Sequence, residues 1–292
     1  MFIQLKSIQD GQVADQAVYA YTGGKTFDPT KPCIVFLHGA QNDHSVWILQ
    51  SRYLAHHGYS VLALDLPGHG RSVGPALASV ELMATWVLAV LTSIEIKRAA
   101  LVGHSMGSLI ALQAAAQAPE RVSALALLGT ANPMKVSDAL LKACQESEPQ
   151  AFDLINRFSH SSLNHSPGSP GPGFSVYWQG RRLMERQAPK VLLNDFSACN
   201  AYVNGDIAAA QLTCPTLILS GEKDAMTPPR AAQGLRDILS KNPSTRLSYQ
   251  VMKDCGHAMM AEQPDMTLTA LRSFLAGAMP AASIGQFTLN VT

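Results

Sequence analysis

The sequence lacks the concentrated features that mark several classes of protein. Its 292 residues carry 22 Lys and Arg against 21 Asp and Glu, which gives a formal net charge of +1 with no basic stripe. Nucleic-acid-binding surfaces need clustered positive charge, so no nucleic-acid partner is expected. No apolar run reaches the roughly 18 residues that cross a bilayer, so no membrane partner is expected either.

Cysteine is sparse, and no pair has the spacing of metal ligands. The sequence contains five scattered cysteines, an odd number. We therefore predict reduced thiols and no metal site. The first residues, Met1 to Lys6, alternate like a strand and show no charged segment followed by a long apolar one. No secretory signal is expected, and the predicted location is the cytoplasm.

What the chain does contain is an alternation of short apolar runs with longer helical segments. Runs of this kind are typical of parallel strands that are buried on both faces. The predicted strands are Cys33 to Leu37, Ser60 to Leu64, Ala99 to Val102, Ala124 to Leu128 and Thr216 to Leu219. The predicted helices are Val46 to His57, Val80 to Ile94, Leu109 to Ala118 and Pro228 to Leu239, the last capped by Thr227.

This alternation predicts an α/β fold, a doubly wound and mostly parallel sheet of about eight strands. Alternating stretches near Phe2 to Ile8 and Ala17 to Thr22 predict an antiparallel hairpin at the sheet edge. The alternation of predicted strands and helices stops between Thr130 and Leu212. We predict a core of residues 1–130 and 213–280, a helical cap or lid at 131–212 and a tail at 281–292, in which Gln286 to Val291 has strand character. The Pro/Gly segment Ser166 to Gly173 sustains neither helix nor strand and is either a lid hinge or a surface loop.

The pentapeptide Gly103-His104-Ser105-Met106-Gly107 lies between a predicted strand and a predicted helix. This is the setting of a nucleophile elbow, in which the serine occupies a strained turn. The glycines at 103 and 107 are expected because side chains there would clash with the neighbouring strand and helix. By chance alone, about one chain in ten of this length contains such a pattern, so partners elsewhere must support it.

A serine hydroxyl is a poor nucleophile at neutral pH and needs a base that a third group orients. Asp224 and His257 each follow a predicted strand, where α/β sheets place their ligands. Glu222 and Asp254 are rivals for the acid. The order Ser105, Asp224, His257 matches a Ser…Asp…His chain order, so we predict these three as the catalytic triad.

A tetrahedral intermediate needs hydrogen-bond donors for its negative oxygen. The first predicted strand ends in His38-Gly39-Ala40, a loop that can turn towards Ser105. The expected donors are the backbone N–H groups of Ala40 and Met106. We predict supporting structural roles for His38, which pins this loop, and for His104, which packs beside the nucleophile.

The segment Leu64 to Ser72 reads as a strand end followed by a tight turn in which Gly68 and Gly70 adopt angles that other residues resist. A phosphate-binding loop is the alternative. Neither the glycine spacing of a dinucleotide fingerprint nor a following Lys-Ser/Thr is present, so we favour the structural role and expect no cofactor.

Together, His38-Gly39, Asp65 to Ser72, Gly103 to Gly107, Asp224 and His257 resemble the α/β-hydrolase fold superfamily across nearly the whole chain. The sequence is most similar to its cap-bearing esterases, carbon-carbon bond hydrolases, epoxide hydrolases and haloalkane dehalogenases. The last two branches use aspartate where this chain has Ser105, so the resemblance implies neither of these activities. Ser108 departs from the second glycine that relatives often carry after the elbow.

The main hypothesis is a serine hydrolase that cleaves a small to medium carboxylic ester through an acyl-enzyme on Ser105. A carbon-carbon bond hydrolase of a ring-cleavage diketone would need the same triad and a polar pocket. A non-catalytic ligand-binding protein on the same fold would leave Ser105 unreactive towards a fluorophosphonate. The expected partner is a small acyl compound, and the sequence does not indicate the oligomeric state.

Overall fold

The computed structural model describes residues 1–9, 12–161 and 175–279. Eight strands form one sheet in the order β1-β2-β4-β3-β5-β6-β7-β8. The strands are β1 (Phe2–Gln9), β2 (Gln12–Tyr21), β3 (Cys33–Leu37), β4 (Ser60–Leu64), β5 (Ala99–His104), β6 (Val122–Leu128), β7 (Thr216–Gly221) and β8 (Leu247–Met252). β2 pairs antiparallel with β1 and with β4, whereas β3 to β8 pair in parallel. The predicted eight-stranded, mostly parallel sheet and its edge hairpin are confirmed.

Eleven α-helices connect and flank these strands within the described residues. They are α1 (Ile48–His56), α2 (Val80–Ser93), α3 (Met106–Gln117), α4 (Asp138–Glu146), α5 (Glu148–Ser159), α6 (Val176–Glu185), α7 (Val191–Ala201), α8 (Gly205–Ala210), α9 (Gln233–Lys241), α10 (Met259–Glu262) and α11 (Pro264–Ala278).

The helices cover both faces of the sheet, which makes the fold doubly wound. Alternate residues of each strand point to opposite faces. Val35 and Leu37 of β3 join an apolar cluster with α2 and α3, whereas Ile34 and Phe36 join a second cluster with α1 and α11. Because both faces of β3 are buried, its residues form a continuous apolar run, and this run is why the strand could be predicted from the sequence.

Several element bounds differ from the prediction. β5 continues through Gly103 and His104 because both residues still pair with β6. The predicted helix from Val46 begins as a 3-10 turn, His44–Trp47, before α1. Pro229–Ala232 likewise forms a 3-10 turn before α9, and no side chain caps it. The predicted capping role of Thr227 is therefore wrong.

Helices α4 to α8 lie between β6 and β7, and we call them the helical insert. Part of the insert has a small apolar core of its own, which includes Phe152, Met184, Leu192 and Phe196. Within the described residues 131–161 and 175–212 the elements are helical. The predicted Pro/Gly segment Ser166 to Gly173 and the predicted strand Gln286 to Val291 lie outside the described residues.

All five cysteines are free and buried. Burial raises the pKa of the Cys33 and Cys255 thiols to about 12, which disfavours the reactive thiolate. In the part of the chain that the structure describes, no helix combines the length and apolarity needed to cross a membrane.

Candidate active site

Ser105 sits at the turn between β5 and α3. Its backbone has φ 53° and ψ −120°, outside the regions that residues with a side chain ordinarily adopt. Its N–H donates to Leu128 O at 2.9 Å, which ties the turn to the end of β6. The strained serine that the sequence predicted is present, and strain of this kind clusters at functional sites.

The two glycines of the elbow permit close packing on either side of Ser105. A Cβ at Gly103 would overlap Gly107 O and lie 2.7 Å from Ser108 N. A Cβ at Gly107 would overlap Leu37 O, at the end of β3. A residue larger than glycine at either position would push the helix away from the sheet.

Asp224 and His257 are joined in the loops that follow β7 and β8. His257 Nδ1 lies 2.8 Å from Asp224 Oδ2, and the residues are only 6% and 3% exposed. Because the carboxylate can only accept, Nδ1 carries a hydrogen, and in the neutral ring the lone pair therefore lies on Nε2. This is the tautomer that a general base requires.

Four donors hold the Asp224 carboxylate. Oδ1 accepts from the N–H groups of Met226 (2.9 Å) and Thr227 (2.7 Å). Oδ2 accepts from the Thr227 hydroxyl at 2.8 Å as well as from His257. Burial alone would raise the pKa of Asp224, but His257 and these hydrogen bonds outweigh it and lower the pKa. The Thr227 hydroxyl therefore belongs to this site. Its position three residues after Asp224 is the feature of the sequence that could have indicated the contact.

The rival acids lie elsewhere. Glu222 is exposed, and its Oε2 accepts from Asp254 N at 3.0 Å. Asp254 has φ 53° and is partly buried in the turn that precedes His257. Of the three acids considered, Asp224 is the one that contacts His257.

The ends of β5, β6 and β8 bring Ser105 and His257 into the same neighbourhood. Gly129 directly follows Leu128, the acceptor for Ser105 N, and a Cβ at Gly129 would lie 3.1 Å from His257 Nδ1. His104, the neighbour of Ser105, donates from Nε2 to His257 O at 2.8 Å. Among the hydrogen bonds of the described residues, none joins the Ser105 hydroxyl to His257 Nε2, so the pairing of nucleophile and base stays a prediction.

The predicted oxyanion loop follows β3 and approaches the elbow. A Cβ at Gly39 would lie 3.2 Å from both Ser105 Cβ and His104 Nδ1. Across residues 1–9, 12–161 and 175–279, the N–H groups of Ala40 and Met106 donate to no protein acceptor. The predicted oxyanion hole needs two N–H groups that are free to donate, and these two meet that requirement.

His38 and His104 are buried and have structural hydrogen bonds. His38 donates from Nδ1 to Gly39 O (2.8 Å) and accepts from Leu66 N at Nε2 (3.1 Å), so it links the oxyanion loop to the end of β4. Burial lowers the pKa of His38 to about 4. Burial and then the neighbouring His257 lower the pKa of His104 to about 3. Both rings are neutral at ordinary pH.

Ser108, the departure from the family pattern, hydrogen-bonds within the elbow. Its hydroxyl donates to Ser105 O at 2.6 Å and lies 2.9 Å from Thr130 Oγ1. The side chain is fully buried and its donor is satisfied, so serine fits the first turn of α3.

The helical insert contacts both loops of the site. Ser159 O, at the end of α5, accepts from His257 N (2.7 Å) and Ala258 N (3.0 Å). Asp195 on α7 accepts from Gln41 N at 2.9 Å, beside the oxyanion loop. These contacts join residues that are up to 154 positions apart, and no sequence pattern indicated them.

One cluster among the described residues has the composition of a metal site. Ligand atoms of Asp43, His44 and Asp65 lie within 4.8 Å of one another. The Asp43 carboxylate already accepts from Arg186 at 2.6 Å, and Asp65 Oδ1 accepts from His44 at 2.8 Å. Burial alone would raise the pKa of Asp43, but the Ser45 hydrogen bonds and Arg186 outweigh it and lower the pKa to about 2. The cluster is thus satisfied as a hydrogen-bonded network.

The sheet order, the elbow and the residues at the strand ends define a hydrolase built on a doubly wound sheet. A family model described as the alpha/beta hydrolase fold matches residues 32–264. The chain belongs to the alpha/beta hydrolase family and is an enzyme, as its resemblance implied.

Known proteins of similar length resemble the chain. It is 28% identical over 268 residues to a putative carbamate hydrolase, RutD, of Klebsiella pneumoniae, covering 87% of this chain and 95% of the relative. It is 26% identical over 251 residues to the pimeloyl-[acyl-carrier protein] methyl ester esterase of Aliivibrio fischeri, covering 83% and 93%. The solved structure of a thermophilic esterase from Thermogutta terrifontis matches with a TM-score of 0.78 at 20% identity, covering 95% and 99% of the two chains. This last likeness shows the fold alone.

Proposed function

We propose that the chain is a serine hydrolase that cleaves a small to medium carboxylic ester through an acyl-enzyme on Ser105. The observation that carries this proposal is the buried His257–Asp224 hydrogen bond of 2.8 Å beside a serine with φ 53°. Relatives named as a methyl ester esterase and a carbamate hydrolase support acyl substrates of the ester type. The helical insert acts in this proposal as a cap over the site.

The reaction proceeds in two halves. The Ser105 hydroxyl attacks the ester carbonyl while His257 Nε2 takes its proton, and the carbonyl oxygen becomes negative. The N–H groups of Ala40 and Met106 stabilise that oxygen, commonly the largest single catalytic contribution. His257 then gives its proton to the departing alcohol, and the acyl group stays on Ser105. Water then attacks the acyl carbonyl while His257 takes its proton, and His257 passes that proton to Ser105 Oγ as the acid departs.

Asp224 orients His257 and stabilises the imidazolium that forms in each half. Its carboxylate is well suited to this role because four donors keep it ionised and fixed. The Thr227 hydroxyl is one of these donors, and we assign it as a positioning residue for the acid.

The test is turnover of nitrophenyl esters of increasing acyl length by the wild type and by Ser105→Ala. The matched control is Ser93→Ala, which removes a hydroxyl that donates to Val90 O near the end of α2, within its own helix. We expect Ser105→Ala to lose turnover by at least about 1000-fold, and Ser93→Ala to match the wild type. Equal turnover by Ser105→Ala would contradict the proposal.

A further inference from the structure

A carboxylate of the helical insert is buried against the loop that carries the proposed oxyanion donor. Asp195 on α7 has no exposed surface. Its Oδ2 accepts from Gln41 N at 2.9 Å and lies 2.9 Å from His69 Nε2. Its Oδ1 is buried and has no hydrogen-bond partner in the described part of the chain. A buried carboxylate is costly, and both groups that hydrogen-bond to it, Gln41 N and His69 Nε2, belong to the core rather than to the insert.

The Asp195–His69 pair holds a proton between its two members. His69 Nδ1 faces the acceptor Pro67 O at 3.0 Å, so Nδ1 carries a hydrogen. Nε2 faces a carboxylate oxygen, which cannot donate when ionised, so a second hydrogen must lie between Nε2 and Oδ2. Burial alone would lower the pKa of His69, but the charge and hydrogen bond of Asp195 raise it.

The other titratable groups near His69 are consistent with this charge state. Asp65, in the loop after β4, adds a second favourable negative charge. The His38 ring at the end of β3 lies 4.8 Å away, and the charge of His69 contributes, after burial, to lowering the pKa of His38. The imidazolium is thus placed on His69, and His38 stays neutral.

Gln41 occupies a conformation that needs external support. It is not a glycine, yet its φ is 56°. The insert supplies two anchors, because Gln41 N donates to Asp195 Oδ2 and Gln41 Nε2 donates to Met184 O at 3.1 Å. Ala40 is the neighbouring residue, so anchoring the Gln41 amide restricts the backbone that aims the Ala40 N–H.

We propose that Asp195 is a positioning residue for the oxyanion-binding loop, so that the insert sets the geometry of transition-state stabilisation as well as covering the site. This rests on the proposed function. Asp195 fixes the Gln41 amide, the protonated His69 fixes Asp195, and the Ala40 N–H is thereby held in the direction of the negative oxygen. A displaced donor weakens binding of the tetrahedral intermediate more than binding of the flat ester.

The competing view is that Asp195 only fastens the insert to the core. The two roles differ in what they change. A fastening role alters stability and substrate access, whereas a positioning role lowers kcat with little change in KM.

Three variants separate these roles when assayed with p-nitrophenyl acetate, beside thermal unfolding. Asp195→Leu keeps four side-chain heavy atoms branched at Cγ but removes the acceptor for Gln41 N. Asp195→Asn returns one oxygen. Asp153→Asn is the control, because Asp153 is an exposed carboxylate on the insert that pairs with Arg181 and does not contact the oxyanion loop.

We expect Asp195→Leu to lower kcat by about 10- to 100-fold with KM within about threefold of the wild type. The kcat of Asp195→Asn should approach that of the wild type at acidic pH. There a charged His69 donates from Nε2, so the amide oxygen turns towards both donors, His69 Nε2 and Gln41 N. At higher pH a neutral His69 accepts from the amide NH₂, so Gln41 N loses its acceptor and kcat falls. Asp153→Asn should stay within about twofold throughout.

A folded Asp195→Leu with wild-type kcat, or a loss confined to KM, would overturn the proposal. If Asp195→Leu does not fold, Asp195→Asn decides, and a pH profile of kcat parallel to that of the wild type would count against it. A wild type that neither turns over esters nor reacts at Ser105 with a fluorophosphonate would instead refute the proposed function, and this inference with it.

Discussion

Acid should destabilise the protein through the two buried histidines beside the candidate nucleophile. His38 and His104 have pKa values of about 4 and 3 because burial disfavours their charged forms. Both values lie below the ordinary 6.5, so below pH 6.5 the unfolded chain binds more protons than the folded one. Stability is therefore lost as the pH falls from about 6.5 towards these values.

The loss of stability can be calculated from the number of protons that the folded state does not bind and the unfolded state does. Each histidine that stays neutral in the folded state costs about 1.4 kcal/mol per pH unit, or about 2 kcal/mol between pH 6.5 and 5. The pair together accounts for about 4 kcal/mol. His69 acts in the opposite sense, since its pKa is raised: its contribution is complete below pH 6.5 and is lost as the pH rises through the folded value.

Because these contributions overlap, the test compares the wild type with His104→Gln by urea denaturation at pH 7.5 and 5.0. Glutamine keeps an N–H that can donate towards His257 O but does not titrate. We expect the variant to lose about 2 kcal/mol less than the wild type between the two pH values. Equal losses would refute the assignment of His104 as a histidine that is held neutral.

Two further predictions concern the elbow and the acid. Gly107→Ala places a Cβ against Leu37 O and should lower the free energy of unfolding by at least about 2 kcal/mol and abolish ester turnover. The control is Gly234→Ala in α9, where the nearest atom to the new Cβ lies at 4.0 Å, and this variant should be neutral or stabilising by about 0.5 kcal/mol. Urea denaturation and ester turnover compare the two variants. Thr227→Val removes a donor to the buried Asp224 carboxylate and should lower both kcat and the free energy of unfolding, the latter by about 2 kcal/mol. Thr227→Ser keeps the hydroxyl and should preserve both quantities. Identical behaviour of the two variants would show that the Thr227 hydroxyl has no role in holding Asp224.

The sheet could be predicted because its strands are buried on both faces. β3, β4 and β7 appear in the sequence as short apolar runs, and their bounds were located within two residues. Helix starts were less predictable, since 3-10 turns precede α1 and α9 and carry no periodic signal. The elbow glycines were predictable because their lack of side chains is itself the steric requirement.

The candidate site divides in the same way. Ser105, Asp224 and His257 could be chosen because each follows a strand, and strand ends converge at one edge of the sheet. Thr227 was given a local role, as a cap, although its hydroxyl bonds to the acid. The Asp195–Gln41 contact spans 154 positions and depends on how the insert packs, which no local pattern encodes.

The central claim is that Ser105 is the nucleophile and that His257 activates it. The most direct measurement is peptide mass mapping after treatment of the folded protein with a fluorophosphonate, carried out in parallel on His257→Gln. The account predicts a single adduct, on the peptide that contains Ser105, and labelling slowed by more than about 100-fold in the variant. An adduct on another residue, no adduct at all, or equal labelling of the two proteins would contradict it.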